Sequence, residues 1–289
     1  MSKTEQPGLP SLPPRDPHSN KHDYGRAVLI GGSVGMAGAA GLAGVAAMRS
    51  GAGLVKIATA GPCLSVVASY EPSYMTAALP ADAEGQISND ARAQVKSICS
   101  SASVVACGPG LGRSESLKRL VTWLFAELSQ PAVFDADALF ALASHPESLT
   151  RSKAARILTP HTGEFARLVQ HAGDSREESE RLAVAAAARW NAVIVLKGHH
   201  TLVTDGRRQY RNTTGNPGMA TGGSGDVLTG VIVGLLSQGL EPFEAAQLGV
   251  HVHGLAGDLA ADSLGQTSMI ASDLLDFLPA AFQRHAAVS

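Results

Sequence analysis

The chain has 289 residues, of which 45% are hydrophobic, 17% charged and 4% aromatic, and its formal net charge is −2. So much apolar side chain excludes whole-chain disorder, and the balanced charge argues against a broad nucleic-acid-binding surface. No apolar stretch reaches the roughly 20 residues of a membrane-spanning helix, and no signal peptide is predicted. Three cysteines without a CxxC pair are typical of a reduced compartment, so we expect a cytoplasmic protein with no membrane partner.

The first 22 residues differ in composition from the remainder. They hold five of the fifteen prolines and no apolar run, which predicts an extended or disordered N-terminal segment. The remainder, residues 23–289, shows no further break and no repeat. We therefore predict one domain there.

Short apolar runs alternate with helical patterns through this domain. The first strand is predicted at residues 26–31, and an alanine-rich helix at 37–49 ends at a glycine. Further strands are predicted at 54–59, 74–79, 103–107, 132–135, 157–159, 192–196 and from 201, and helices at 90–100, 116–128, 163–170, 175–190, 226–238, 242–261 and 271–284. This alternation predicts a parallel sheet covered by helices on both faces.

Glycines, acidic residues and histidines follow several predicted strands, where the ligands of such folds lie. The clearest case is the segment 216–230, in which Gly222, Gly223 and Gly225 permit positive φ and a predicted helix follows at once. Backbone N–H groups and the positive end of that helix predict an anion hole formed by Gly222, Gly223, Ser224 and Gly225. Asp226 stands at its mouth, where it can accept a proton from a hydroxyl that attacks phosphorus.

Asp226 has a second interpretation, because an Asp before an apolar helix is most often a simple N-cap. The dense glycines favour the anion hole, since a cap needs only one polar residue. A Walker A loop is excluded because the Gly-Lys-Ser/Thr ending is absent.

Two other strand ends carry candidate ligand-binding residues. Lys197 and the residues up to Thr201 offer a cation and donors to a nucleotide, or else form a solvated hairpin tip. Glu164 is a candidate to hold Mg²⁺ through water, and His161 to donate to a substrate. Their alternative roles are a dipole-favourable helix residue and a loop histidine. Asp135 and Asp137 are turn residues or supporting groups.

Five segments, in order, resemble those of the ADP-dependent NAD(P)H-hydrate dehydratases of the ribokinase-like superfamily. The similarity covers residues 23–284, and the segments are residues 31–53, 107–112, 135–139, 159–164 with 197–201, and 215–226. The GxGD element alone would specify only phosphoryl transfer, whereas its combination with GPGLG and RSGAG is more specific. The resemblance implies an α/β fold, namely a ribokinase-like three-layer α/β/α sandwich with a central, mostly parallel sheet.

The resemblance also implies an activity. The S epimers of hydrated NADH and NADPH (NADHX and NADPHX) would be dehydrated at the expense of ADP, giving NAD(P)H, AMP and phosphate. The ring hydroxyl would lose its proton to Asp226 while the anion hole stabilises the phosphoryl group. By the family pattern, the substrate would contact Ala39, Gly110, His161 and Asp226, and the nucleotide would contact Lys197, Gly198, His199, His200, Thr201 and Gly225.

The same resemblance implies partners. Mg²⁺ would accompany the ADP, and a separate epimerase would interconvert the R and S hydrates, because the N-terminal extension is too short for a fused one. Alanine-rich helices leave small-residue surface for self-association, so we expect a homo-oligomer, a homotetramer. The runner-up function is a small-alcohol kinase of the same superfamily, acting on hydroxyethylthiazole or hydroxymethylpyrimidine. The third candidate function is a nucleotide-binding sensor without turnover. It is disfavoured because binding alone does not require a base at position 226.

Overall fold

The computed structural model describes residues 7–171 and 173–287. In this part of the chain, nine strands form one sheet in the order β3-β2-β1-β4-β5-β6-β7-β8-β9. The strands are β1 (Arg26–Ile30), β2 (Leu54–Ala60), β3 (Met75–Leu79), β4 (Val104–Cys107), β5 (Ala132–Phe134), β6 (Arg156–Leu158), β7 (Val193–Leu196), β8 (Leu202–Thr204) and β9 (Gln209–Arg211). Pairs from β3 to β7 are parallel, and β8 and β9 add an antiparallel hairpin at one edge.

Ten α-helices in the described residues cover this sheet on both faces. They are α1 (Ala37–Arg49), α2 (Leu64–Ala68), α3 (Arg92–Cys99), α4 (Glu115–Glu127), α5 (Asp137–Ala143), α6 (Thr162–Val169), α7 (Arg176–Trp190), α8 (Ser224–Ser237), α9 (Pro242–Leu264) and α10 (Ala271–Ala286). Helices α1, α8, α9 and α10 pack together, and α4 to α7 contact one another in sequence. The predicted three-layer sandwich is confirmed.

The central strands explain why the sheet must lie between two helix layers. All residues of β4, β5, β6 and β7 are buried. Side chains point alternately to the two faces of a strand, so a strand buried throughout needs cover on both sides. This is the arrangement that the short, uninterrupted apolar runs predict.

Two α-helices and one strand were missed in the sequence. Helix α2 has five residues and α5 has seven, too short for a clear helical period, and β9 has three residues of which only Tyr210 is buried. The predicted α9 ends at 261, whereas the helix continues to Leu264. Apart from these, the predicted elements are found with each end shifted by at most two residues, and α1 is found at its predicted bounds.

The N-terminal segment lies along α9 and α10. Residues 7–22 contain neither helix nor strand. The Gln247 amide donates to the carbonyl oxygens of Pro7 and Gly8 at 2.9 and 3.0 Å, and His285 lies 3.0 Å from the carbonyl oxygen of Pro10. Residues 1–6 of this predicted segment lie outside the described residues. Across the described chain, the helices are all too short or too polar to span a membrane.

Candidate active site

The predicted ligand-binding loops come together at one edge of the sheet. Strands β1, β4, β5, β6 and β7 are neighbours in that order and run parallel, so their carboxyl ends lie side by side. The loops that follow them include residues 31–33, 108–112, 135–137, 159–164 and 197–201. The N-terminus of α8 packs beside them, because α8 contacts β1, β4 and β5.

The glycine-rich segment turns sharply into α8. The helix begins at Ser224, and its N-cap is Gly223 with φ +96°. Gly222 and Gly225 do not have positive φ, so that expectation was wrong for both. Gly225 matters for a different reason: a Cβ there would lie 3.3 Å from Nζ of Lys197. The absence of a side chain at Gly225 lets the ammonium approach the first turn of the helix.

Asp226 is the third residue of α8. No side chain caps this helix, and among the described residues the Asp226 carboxylate makes no hydrogen bond. The alternative N-cap interpretation is therefore wrong. The pKa of Asp226 is raised to about 7. Burial is the largest cause and the charge of Asp135 adds to it, whereas the charge of Lys197 opposes the rise. An unrestrained carboxylate with such a pKa fits a general base that works near neutral pH.

Lys197 points into the site rather than into solvent. Its Nζ donates to Oδ1 of Asp135 at 2.7 Å and lies 3.9 Å from Oε2 of Glu164. Burial alone would lower the pKa of Lys197, but the charges of Asp135 and Glu164 outweigh it, and the pKa is raised. The solvated-tip interpretation is therefore wrong for this side chain, which remains a cation beside the predicted anion hole.

The residues after Lys197 form an exposed turn. Gly198 has φ +144° and His200 has φ +54°, and the hydroxyl of Thr201 donates to the Gly198 carbonyl at 3.0 Å. The rings of His199 and His200 lie 3.8 Å apart between centroids. Gly198, His199 and His200 are exposed and open to a ligand.

His161 and Glu164 cap the N-terminus of α6 reciprocally. Nδ1 of His161 accepts from the backbone N–H groups of Gly163 and Glu164 at 3.0 and 3.3 Å, and Oε2 of Glu164 accepts from the backbone N–H of His161 at 2.8 Å. Because Nδ1 is an acceptor, the neutral His161 ring carries its proton on Nε2. Nε2 lies 3.5 Å from Oε1 of Glu164, and its N–H is the one that could donate to a substrate. Burial raises the pKa of Glu164, with Lys197 opposing.

Ala39 and Gly110 meet on the other side of the site. Gly110 has φ +58°, and a Cβ built on it would lie 2.2 Å from the carbonyl oxygen of Met36 and 3.0 Å from Cβ of Ala39. The hydroxyl of Ser33 donates to the Gly110 carbonyl at 2.9 Å. Only small residues permit this approach, which brings together two residues that the family pattern assigns to the substrate.

Three residues that support the site were missed in the sequence. Arg176 donates to the carbonyl oxygens of Lys197 and Leu196 at 3.1 and 3.0 Å. Thr229 donates to Oδ2 of Asp135 at 2.8 Å, and Nε2 of the buried His253 lies 2.9 Å from the Ser224 carbonyl oxygen. Thr229 could have been found, since it follows Asp226 by three residues on one helix face. Arg176 and His253 carried no comparable signal.

A magnesium ion fits this edge only indirectly. Among the described residues, no group of three or more His, Cys, Asp or Glu side chains is arranged to hold a metal ion. Mg²⁺ usually keeps several waters and is held by one or two carboxylates plus substrate phosphates. The Glu164 carboxylate suits such a water-mediated contact, although one of its oxygens already accepts a backbone N–H.

Comparison with known proteins identifies the family. Residues 27–280 match the family model described as NAD(P)H-hydrate dehydratase. The chain belongs to this family. A bifunctional NAD(P)H-hydrate repair enzyme Nnr of Moorella thermoacetica is 46% identical over 272 residues, which are 93% of this chain and 51% of that protein. The chain thus spans about half the length of the curated relatives that it matches.

Solved structures of NAD(P)H-hydrate dehydratases and their relatives agree with the fold. The Bacillus subtilis ADP/ATP-dependent NAD(P)H-hydrate dehydratase, co-crystallised with ATP and Mg²⁺, has a TM-score of 0.80 and 32% identity, covering 95% of this chain and 94% of that one. A ribokinase-like superfamily protein of Enterococcus faecalis has a TM-score of 0.76 and 26% identity, covering 94% and 91%. The ribokinase-like fold and the dehydratase family, a family of lyases, are both confirmed.

Proposed function

We propose that this chain dehydrates the S epimers of NADHX and NADPHX, with ADP as the phosphoryl donor and AMP and phosphate as products. The observation that carries the proposal is the position of Asp226. Its carboxylate makes no capping hydrogen bond and has a raised pKa. It lies in the first turn of α8, near the charge of Lys197. Family membership supplies the substrate class.

The reaction divides into two steps in which atoms balance. The ring hydroxyl attacks the terminal phosphorus of ADP, so an O–P bond forms, the bond to the AMP oxygen breaks, and Asp226 takes the hydroxyl proton. Phosphate then leaves with the electrons of the C–O bond, the proton of the adjacent C–H passes to water, and the electrons of that C–H bond restore the ring double bond. Hydroxide is a poor leaving group and phosphate a good one, which is why phosphorylation makes the elimination easy.

The site residues support the first step. The backbone N–H groups of Gly222, Gly223 and Gly225 would bind the transferring phosphoryl oxygens, whereas the N–H of Ser224 donates to the Thr221 carbonyl at 3.4 Å. Lys197 would add its positive charge. Nucleotide would lie along residues 197–201, and the hydrated ring would lie against Ala39, Gly110 and the Nε2–H of His161. Glu164 would contact Mg²⁺ through water, and the ion would neutralise phosphate charge when bound.

The direct test is an assay with NADHX, Mg²⁺ and either ADP or ATP. We expect the near-ultraviolet absorbance of the reduced nicotinamide to recover, with one AMP formed per NADH when ADP is supplied. A stable phosphorylated product without NADH would instead favour the small-alcohol kinase. The Bacillus subtilis protein is described as ADP/ATP-dependent, so the parallel ATP reaction decides how strictly this chain selects ADP.

We also propose its partners and setting. An S-specific dehydration leaves the R epimer untouched, so an NAD(P)H-hydrate epimerase is the expected functional partner. The buried, unpaired cysteines at 63, 99 and 107 fit a reduced cytoplasm. Exposed apolar side chains on α2 and β3, Val66 and Met75, favour self-association, and we propose the homotetramer. Light scattering on the purified protein tests this, and a monomer would contradict it.

A further inference from the structure

The chain makes a strained turn where β5 ends, in the middle of the sheet. The Asp135 carbonyl accepts from the N–H of Ala138 at 3.0 Å, closing a four-residue turn. Ala136, the second residue of this turn, has φ +50° and ψ −119°. These are the dihedral angles of the second residue of a type II′ turn, a position that glycine favours. An alanine held there is strained, and such strain often marks a functional constraint.

The residue before Ala136 points toward the nucleotide side. Asp135 is 1% exposed, and both of its carboxylate oxygens are used. Oδ1 accepts from Lys197 at 2.7 Å, and Oδ2 accepts from the hydroxyl of Thr229 at 2.8 Å. Lys197 follows β7, and Thr229 lies on α8 one turn after Asp226. Asp135 therefore joins the end of β7 to the helix that carries the base.

The residue after Ala136 points toward the substrate side. Oδ2 of Asp137 accepts from the backbone N–H of Gly112 at 3.0 Å, and Oδ1 accepts from Nε of Arg113 at 2.9 Å. The Arg113 guanidinium also covers the ring of Phe140 at 4.4 Å. Asp137 therefore holds the loop 108–112, which includes Gly110.

We propose that residues 135–137 are a positioning turn, in which Asp135 sets the nucleotide subsite through Lys197 and Asp137 sets the substrate subsite through the loop 108–112. The two subsites take their names from the proposed function, on which this inference rests. Phosphoryl transfer needs the donor and the acceptor aligned, and a misplacement of about 1 Å can cost about a hundredfold in rate. One short turn holding both sides keeps their separation constant.

The test compares Asp135→Asn and Asp137→Asn by direct binding of two probes, ADP with Mg²⁺ and NADPH, the reduced product. Asp135→Asn should weaken ADP binding about tenfold while NADPH binding changes less than about twofold, because a charge-assisted hydrogen bond is lost on one side only. Asp137→Asn should show the reverse. Equal weakening of both probes by each variant, or no change in either, would overturn the positioning turn.

Asp205→Asn is the matched control. The Asp205 carboxylate accepts from the backbone N–H groups of Arg207 and Arg208 in the β8–β9 turn, so it holds a turn as the two test aspartates do. The Asp205→Asn protein should bind both probes as tightly as the wild type does. If Asp135→Asn does not fold, Thr229→Val replaces it, since it removes one partner of Asp135 at almost constant volume, and should weaken ADP binding alone.

Turnover is measured separately on the wild-type protein. A wild type that binds ADP but neither binds NADPH nor dehydrates NADHX would refute the proposed function. The Asp135→Asn result with ADP would still decide whether Asp135 sets the nucleotide subsite. The two failures are thus distinguishable.

Discussion

At the scale of single residues, burial and charge separate the carboxylates of this site into different roles. Asp135 is saturated by Lys197 and Thr229, and Glu164 caps α6. Asp226 alone of these three is left without a hydrogen bond among the described residues. Half-buried and near the negative charge of Asp135, it takes up a proton more readily than an ordinary Asp. The environment, not the residue type, is what supports Asp226 as the proposed base.

The pH dependence of activity follows from this difference. Asp226 must be ionised to accept a proton, and burial and the charge of Asp135 raise its pKa to about 7. We expect kcat/KM to fall about tenfold per pH unit below that pKa and to level off above it. Asp226→Asn should lower turnover by about 10² or more while retaining ADP binding, and its residual activity should lose the acidic limb. Full activity in this variant would refute the mechanism.

The strain at Ala136 predicts a stabilising substitution. Ala136→Gly should raise the free energy of unfolding, because glycine adopts φ +50° and ψ −119° without steric cost. The net gain should be about 1 kcal/mol, after subtracting the conformational entropy that glycine adds to the unfolded chain. Urea unfolding measures this. Asn191→Gly is the control, since Asn191 has φ +49° in the left-handed region that Asn tolerates, and its stability should change by a few tenths of a kcal/mol. A less stable Ala136→Gly protein would contradict the assigned strain.

At the scale of elements, close packing against α1 positions α8, the helix that carries Asp226. A Cβ on Gly230 would lie 2.1 Å from the Ala43 carbonyl oxygen, and one on Gly234 would lie 2.6 Å from the Ala47 carbonyl oxygen. Backbone atoms cannot move aside as a flexible side chain can. The glycines of α8 therefore let two helix backbones touch, which sets the depth at which Asp226 sits.

Gly230→Ala tests this contact. The added methyl group should push α8 away from α1 and lower the free energy of unfolding by at least about 2 kcal/mol. Gly38→Ala on α1 is the matched control, because its Cβ would meet only the Tyr70 hydroxyl at 3.5 Å. Alanine has a better helix propensity than glycine, so this variant should be as stable as the wild type or more stable by up to about 1 kcal/mol. Chemical denaturation compares them, and equal stabilities of the two variants would contradict the close-contact argument.

At the scale of the whole molecule, the N-terminal segment is packed against the domain. Leu9 and Leu12 are partly buried against the core, and Gln247, 1% exposed, donates to the carbonyl oxygens of Pro7 and Gly8. The segment follows α9 and α10 and contributes none of the predicted site residues. Its contribution should therefore be to stability and not to ligand binding.

Removal of residues 1–12 tests that separation. We expect the free energy of unfolding to fall by about 1 to 3 kcal/mol, because two leucine side chains lose apolar contact and three hydrogen bonds are lost, two from Gln247 and one from His285. ADP binding should stay within about twofold of the full chain at temperatures where both are folded. A truncated protein that unfolds at the same urea concentration as the full chain would show that the segment adds nothing.

The sequence by itself determined the alternation of strands and helices, because short apolar runs and helical periods are local patterns. It also predicted which loops form the proposed site, since glycine, aspartate and lysine at strand ends are visible without any structure. The family resemblance then assigned Ala39 and Gly110 to a substrate, roles that no local pattern indicates, and it agreed with the strand-end position that had already made His161 a candidate.

Only the tertiary structure decided how these residues act on one another. Asp135 and Lys197 are 62 positions apart, and Asp135 and Thr229 are 94 apart, so no sequence window contains their contacts. Helices α2 and α5 are too short to show a helical period. The backbone angles of Ala136 are set by the contacts of its two neighbours, Asp135 and Asp137. Burial, which raises the pKa of Asp226, exists only after the strands and helices have packed.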